Sequence, residues 1–194
     1  MKTLKLILLI LLAATQIAVP VSLIQRKERI LGEGERIRLQ TRPIDPADPF
    51  QGRYVRLGYE HNYIDCPEDE IPNIGYKSRI YATIETGEDG FARFTGWSLE
   101  KPADGLYLET RYLGPYRPWN QASQKGEYKG LQIDIPCNRF YMDEAKAPRA
   151  ERLARNATQS RNCWVDVRIL NGKAVIEDVY AEGQSLRVLA SEKE

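Results

Sequence analysis

A single histidine, His61, serves the whole chain of 194 residues. Its isolation removes most imidazole-built metal centres and leaves one candidate imidazole base. Cysteine is scarce too. Cys66, Cys137 and Cys163 include no Cys-x-x-Cys pair, and three thiols allow at most one intramolecular disulfide. In an oxidising compartment the bridges to consider are Cys137 with Cys163 and Cys66 with Cys137; the alternative is three buried thiols acting as small hydrophobes. Missing as well are a Gly-x-Ser-x-Gly elbow, a phosphate-binding glycine loop and a His-Glu-x-x-His run. His61 and Cys66 lie five residues apart on one loop, whereas a nucleophile and its base usually come from separate elements. No catalytic or metal constellation is legible, and no cofactor is expected. Internal repeats and low-complexity tracts are absent.

Charge of one sign is lacking over the chain as a whole, with 28 basic and 27 acidic residues. The balance is uneven along it. Lys2, Lys5, Arg26, Lys27 and Arg29 against Glu28 put the first 30 residues at +4 and leave the rest at −3, with 23 basic and 26 acidic residues. A domain so charged has no general electrostatic reason to bind nucleic acid. The basic residues sit instead beside a hydrophobic run, where anionic headgroups favour them.

That run, Leu4 to Ile24, is interrupted only by Lys5, Thr15, Gln16 and Ser22. As a helix its 21 residues reach roughly 31 Å, enough for a hydrocarbon core of about 30 Å. The competing reading is a cleaved signal peptide built on Lys2, Lys5 and the stretch from Leu6 to Ala14. Thr15-Gln16 and further apolar residues follow that stretch in place of a small-residue cleavage site, which favours a retained anchor over residues 1–25. Both flanks are basic, so charge leaves orientation open; the expected arrangement is a single pass with the domain outside. A charged linker is expected over 26–35, with Gly32-Glu33-Gly34 leading into a domain over 36–190. About 160 residues is one domain's worth of core.

Within the domain, Ile37 to Thr41 alternates as a half-buried strand does, and Pro43, Pro46 and Pro49 impose an extended loop. From Tyr54 to Tyr63 a strand is expected with Val55, Leu57 and Tyr59 on one face. Two hairpins are legible: Arg79 to Thr86 with Phe91 to Leu99 around Gly87-Glu88-Asp89-Gly90, and Trp164 to Leu170 with Ala174 to Ala181 around Asn171-Gly172. Further strands are expected at Leu106 to Tyr112 and Tyr128 to Ile135. One helix is expected between Pro148 and Ala157, with Ala150, Leu153, Ala154 and Ala157 as its apolar stripe and Arg149, Arg152 and Arg155 on a solvated face. The fold class is mainly β, an antiparallel sandwich or partly open barrel with one short helix, behind an N-terminal transmembrane helix.

The octet Gly52-Arg53-Tyr54-Val55-Arg56-Leu57-Gly58-Tyr59 resembles the motif of the GDYXXLXY family, a family of uncharacterised membrane-anchored bacterial proteins. Thr41-Arg42-Pro43-Ile44-Asp45-Pro46 with Asp48 and Phe50, the segment Arg139-Phe140-Tyr141-Met142-Asp143-Glu144, and the hairpin at Asn171-Gly172 are similar to further family segments. The likeness runs from the anchor to about residue 180. Arg53 replaces the motif's aspartate, Gln51 an arginine usual two residues earlier, and Ala47 an arginine expected before Asp48, which suggests a rearranged local ion pair. The resemblance implies a membrane-associated partner rather than a reaction. Its motif residues, Arg42, Asp45, Asp48, Gly52, Tyr54, Leu57, Tyr59, Arg139, Tyr141 and Glu144, are the candidate binding positions. Gly52 permits a sharp strand entrance, Asp45 and Asp48 can cap the proline loop, and Tyr54 is expected opposite Leu57 and Tyr59.

Two other regions have competing readings. Asp65, Glu68, Asp69 and Glu70 match no calcium loop and read as a solvated turn. Tyr107, Tyr112, Tyr116, Trp119 and Tyr128, with Pro115 and Pro118, form either core or a recognition groove. The leading expectation is a noncatalytic, membrane-anchored extracytoplasmic domain that binds or scaffolds an envelope membrane protein. The alternatives are an envelope hydrolase using carboxylates such as Glu144 and Asp48, or a small-ligand binding barrel. Convergence of Arg42, Asp48, Arg139 and Glu144 on one pocket would mark a site.

Overall fold

The computed structural model describes residues 2–42, 54–71, 73–120, 125–143 and 146–191. Helix α1 (Lys2–Glu33) has 32 residues and so runs about 48 Å. From Lys5 to Glu33 it is long and apolar enough to cross a bilayer, with a mean hydropathy of 2.5 in its most apolar window and none of that window buried. Two hydroxyls in its apolar run are satisfied internally: Thr15 donates to the Leu11 carbonyl and Ser22 to the Val19 carbonyl, each at 2.8 Å. Pro20 lies within it, which a bilayer-spanning helix tolerates better than a soluble one.

The segment expected as a linker differs. Residues 26–33 continue α1 for about two more turns, stabilised in part by the Arg29–Glu33 pair at i,i+4 and 2.9 Å. Gly34 alone then separates helix from sheet. A Cβ there would lie 2.4 Å from the Ile30 carbonyl oxygen and 3.1 Å from the Ile169 backbone, so this close approach requires glycine. Helix α1 therefore joins the domain without slack.

Strand β1 (Glu35–Arg42) buries Ile37, Leu39 and Thr41 in strict alternation. The strand expected over 54–63 is cut into β2 (Tyr54–Arg56), β3 (Gly58–Tyr59) and β4 (Tyr63–Ile64). After a 3₁₀ turn at Glu68–Glu70 come β5 (Arg79–Thr86), β6 (Ala92–Ser98), β7 (Tyr107–Tyr116), β8 (Trp119–Asn120), β9 (Lys125–Gly126), β10 (Gly130–Ile133) and β11 (Arg139–Tyr141). Helix α2 (Ala147–Gln159), β12 (Cys163–Leu170), β13 (Lys173–Ala181), β14 (Gln184–Ser185) and the four-residue α3 (Leu186–Leu189) close the chain. The cut in 54–63 has a cause: β2 pairs with β11, β3 with β1, and β4 with β10 and β6, so one short segment serves four neighbouring strands. Its alternation survives, because Val55, Leu57 and Tyr59 are all buried.

The fold is mainly antiparallel β. One sheet has the order β14-β13-β12-β1-β3, while β10, β4, β6, β5 and β7 pair in a ring. The β4–β6 link of that ring is a single parallel pair, Ile64 with Phe94, so the barrel is partly open at this seam. Two ribbons, β2–β11 and β8–β9, flank these units. The β12–β13 hairpin turns on Asn171 and Gly172, both at positive φ, as a two-residue turn of matching twist requires. Its tip docks on the barrel through Glu109 N–H to the Gly172 carbonyl at 2.8 Å. Sheet and barrel share one core that includes Ile37, Ile64, Ile80, Leu131, Val165 and Val179. Helix α2, with Pro148 in its first turn, buries Ala147, Ala150, Ala154 and Ala157; small side chains let it lie close to the sheet. All three cysteines are free thiols, Cys137 and Cys163 being buried.

Candidate functional site

The ribbon β2–β11 sets Val55 opposite Phe140, both buried, with Tyr54 opposite Tyr141 and Arg56 opposite Arg139 on either side. Period-two alternation therefore sends the aliphatic and phenyl groups inward and the tyrosines and arginines outward. Tyr54 and Tyr141 meet with ring centroids 5.6 Å apart, and the Arg139 guanidinium lies 5.0 Å from the Tyr54 centroid, within cation–π range. Tyr141 remains 61% exposed.

Beside this ribbon opens a groove of about 500 Å³ whose walls include Lys27 of α1, Arg139 and Tyr141 of β11, and Arg187 of α3. Arg187 is positioned from two sides: its guanidinium lies 4.8 Å from the Phe140 ring centroid, and its Nε is 3.6 Å from an Asp178 oxygen. Among the described residues no carboxylate lines the groove. Pro136 and Asn138 are shared with an adjoining cleft of about 780 Å³, lined by Lys77, Arg79, Arg111 and Lys173 against Glu109 and Asp134. There Arg79 faces Arg111 across β5 and β7, a second pair of like charges directly opposed. Glu109 tempers it, 2.7 Å from Lys173 and 4.0 Å from Arg79.

A different cluster lies where β1, β12 and β13 meet. Asp166 is fully buried and is paired with Arg36 and, at 3.4 Å, with Arg38. Arg36 also reaches Glu177 at 3.4 Å, and Arg168 grips the same carboxylate through two hydrogen bonds of 2.9 and 3.1 Å. The Arg168 hydrogen bonds hold the Glu177 carboxyl below the usual glutamate range, and the Asp166 hydrogen bond raises Arg36. Arg38 lies over Trp164, which stacks on Tyr180 at 5.4 Å. Each of these three arginines has an acidic partner.

The structure brings together Tyr54, Arg139 and Tyr141 of the candidate positions. It sets Arg42 apart, in a crevice of about 50 Å³ against Glu151 and Arg155 of α2, too small for an organic ligand. Leu57 and Tyr59 belong to the core. The Tyr59 hydroxyl donates to the Cys137 carbonyl; burial pushes that phenol up and the Cys137 thiol up to about 11. Asp45, Asp48, Gly52 and Glu144 lie outside the described residues, as do Pro43, Pro46 and Pro49. Cys66 Sγ lies 3.1 Å from the Tyr128 hydroxyl, and the ring neighbour of His61 is Tyr63. Among the described residues no three His, Cys, Asp or Glu side chains gather as a metal site. The aromatic-proline region divides: Tyr107 and Tyr112 are core, Tyr116 stacks on Tyr63 at 4.5 Å, and Trp119 stands exposed.

Sequence reasoning missed Lys27 and Arg187 as groove residues. Lys27 was legible only as one of several cations flanking the apolar run, and Arg187 had no local signal, because its reach to Phe140 depends on how α3 packs against α2 and β13.

No curated protein and no solved structure matches the chain. The family profile described as GDYXXLXY protein matches residues 16–179, a span that contains every strand from β1 to β12. Within it Tyr54, Leu57 and Tyr59 occupy distinct structural positions, Tyr54 outward and the other two in the core. On a match of that extent, the chain belongs to the GDYXXLXY family.

Proposed function

We propose that this protein is a single-pass, membrane-anchored domain on the extracytoplasmic side that binds or scaffolds another envelope membrane protein without catalysing a reaction. The observation that carries the reading is the junction at Gly34. An apolar helix with no part of its apolar window buried passes through one residue into β1, a strand of the main sheet that pairs along its length with β12 and buries Ile37 and Leu39. Such a junction holds the domain at one height and orientation over a bilayer, as suits a part that must meet a neighbour in the same membrane. The uncovered apolar face of α1 supports the same reading, since its side chains are free to pack against a partner's helices.

Cross-linking in native membranes followed by mass spectrometry tests the proposal: one integral membrane protein should recur as a neighbour of the intact chain, and the absence of any reproducible neighbour would refute it. Placement is tested separately with sealed right-side-out vesicles, where added protease should digest the domain. Full protection would reverse the orientation.

A further inference from the structure

We infer that the groove between α1 and the β2–β11 ribbon binds the phosphate of an anionic phospholipid headgroup. Lys27 follows Ile24, the end of the apolar run, by three residues, or about 4.5 Å along the helix. The groove wall thus begins where the hydrocarbon ends, at the level of lipid phosphates. This step rests on α1 lying in the bilayer.

Lys27, Arg139 and Arg187 arrive from three separate elements and line a groove in which the described residues place no carboxylate. The chain beyond residue 30 has a net charge of −3, so this positive face is a concentration and not a reflection of composition. Two of the three cations are held in place by rings, Arg139 over Tyr54 and Arg187 over Phe140, and preorganised guanidinium groups suit phosphate oxygens.

Arg56 and Arg139 are directly opposed across β2 and β11, an arrangement that disfavours strand pairing; an anion beside Arg139 relieves it. The arginine pair Arg36 and Arg168 is opposed in the same way across β1 and β12, and there the protein supplies Glu177 to both members. At the groove the described residues place no carboxylate in the lining, which leaves room for an external anion beside Arg139. Tyr141, exposed and next to Tyr54, completes the surface, since tyrosine favours the headgroup level, where its ring meets acyl chains and its hydroxyl meets water. A volume of about 500 Å³ is in the range of small-ligand sites.

The test uses the full chain in detergent micelles, offered equal amounts of phosphatidylglycerol and phosphatidylcholine and read by native mass spectrometry. Bound phosphatidylglycerol should exceed phosphatidylcholine severalfold. The double variant Arg139→Ala/Arg187→Ala should cut that excess by roughly fivefold per cation removed, while Arg139→Lys/Arg187→Lys, which keeps the charge, should retain most of it. Circular dichroism melting confirms that each variant is folded. Equal retention of the two lipids by the wild type, or an undiminished preference in the folded alanine variant, would overturn the assignment. Displacement of the lipid by millimolar inorganic phosphate alone would also overturn it, by showing a free-anion site. Carbonate-resistant membrane association of the same proteins keeps the two readings apart. Loss of that association in the wild type removes the anchor, and persistence without a lipid preference removes only the groove.

Discussion

Two arginine clusters on this domain are built alike and finished differently. At the sheet, Arg36, Arg38 and Arg168 stand on adjacent strands, and the fold sets buried Asp166 and half-buried Glu177 among them. At the ribbon, Arg56 and Arg139 also stand on adjacent strands, with Arg187 and Lys27 nearby; Asp178 lies beside Arg187, Glu151 shares a small crevice with Arg56, and among the described residues no carboxylate lines the groove that Arg139 borders. The first cluster joins β1, the strand directly behind α1, to β12 and β13. The second leaves positive charge directed at whatever lies beside α1. The same side chain thus serves architecture where an acid is supplied and recognition where it is not.

The comparison breaks most readily at the sheet. Arg36→Ala should cost about 3 kcal/mol, because it strips a fully buried carboxylate of its nearer partner; denaturant unfolding of the full chain in micelles reads it directly. Asp166→Asn should cost less, since the arginines left behind are half exposed and rehydrate. A larger loss for Asp166→Asn would mean that the buried acid, not the desolvated charge balance, organises the cluster. Gly34→Ala should cost about 2 kcal/mol, the usual scale for forcing a side chain into filled space, as its Cβ meets two backbone segments. That variant also tests the rigid junction: if stability is unchanged, α1 and β1 are not locked together.

Next in size is the buried link beneath the groove. Tyr59→Phe should cost about 1–2 kcal/mol by orphaning the Cys137 carbonyl. The same pair predicts alkaline sensitivity. Burial raises Cys137 from 9.0 to about 11 and raises Tyr59 above its ordinary 10.0. Groups raised on folding stabilise fully below their unfolded values, so thermal stability should fall as pH climbs from 9 through 11. Glu177 has the opposite sign. Lowered by Arg168, it stabilises above its ordinary 4.5, and this contribution is lost as pH falls through its folded value. Glu177→Gln should therefore flatten the acid limb of the melting profile and leave the alkaline limb as it was.

What the sequence disclosed of all this follows local patterning. The hairpin at Asn171-Gly172 was legible because two residues at positive φ between alternating strands need little from the rest of the fold, and α2 because Pro148 and its alanine stripe repeat within one element. The splitting of 54–63 was not legible, since each fragment answers to a strand distant in sequence. The helical continuation over 26–33 was hidden because charged residues with a glycine read as linker when the tertiary contact at Ile169 is unknown. Of the site, the outward place of Tyr54 could be read from alternation. The meeting of Arg139 with Lys27 and Arg187 could not, because it joins residues 112 and 48 positions apart through packing alone.

The smallest effect is the one that best separates the two clusters. Arg139→Gln removes a like-charge contact with Arg56, worth a few tenths of a kcal/mol in the variant's favour, and a cation–π contact with Tyr54 of similar size in the wild type's favour. The net change in stability should lie within about 0.5 kcal/mol, and salt should move it. Raising ionic strength screens the repulsion between the two guanidinium groups and leaves the short-range ring contact largely intact, so added salt should stabilise the wild type relative to Arg139→Gln. At the sheet the dependence runs the other way, because salt weakens attraction between Arg36 and its acids. A pair of denaturation series at low and high salt therefore reads the sign of the field at each arginine, and equal slopes would mean that the ribbon's charges are balanced after all.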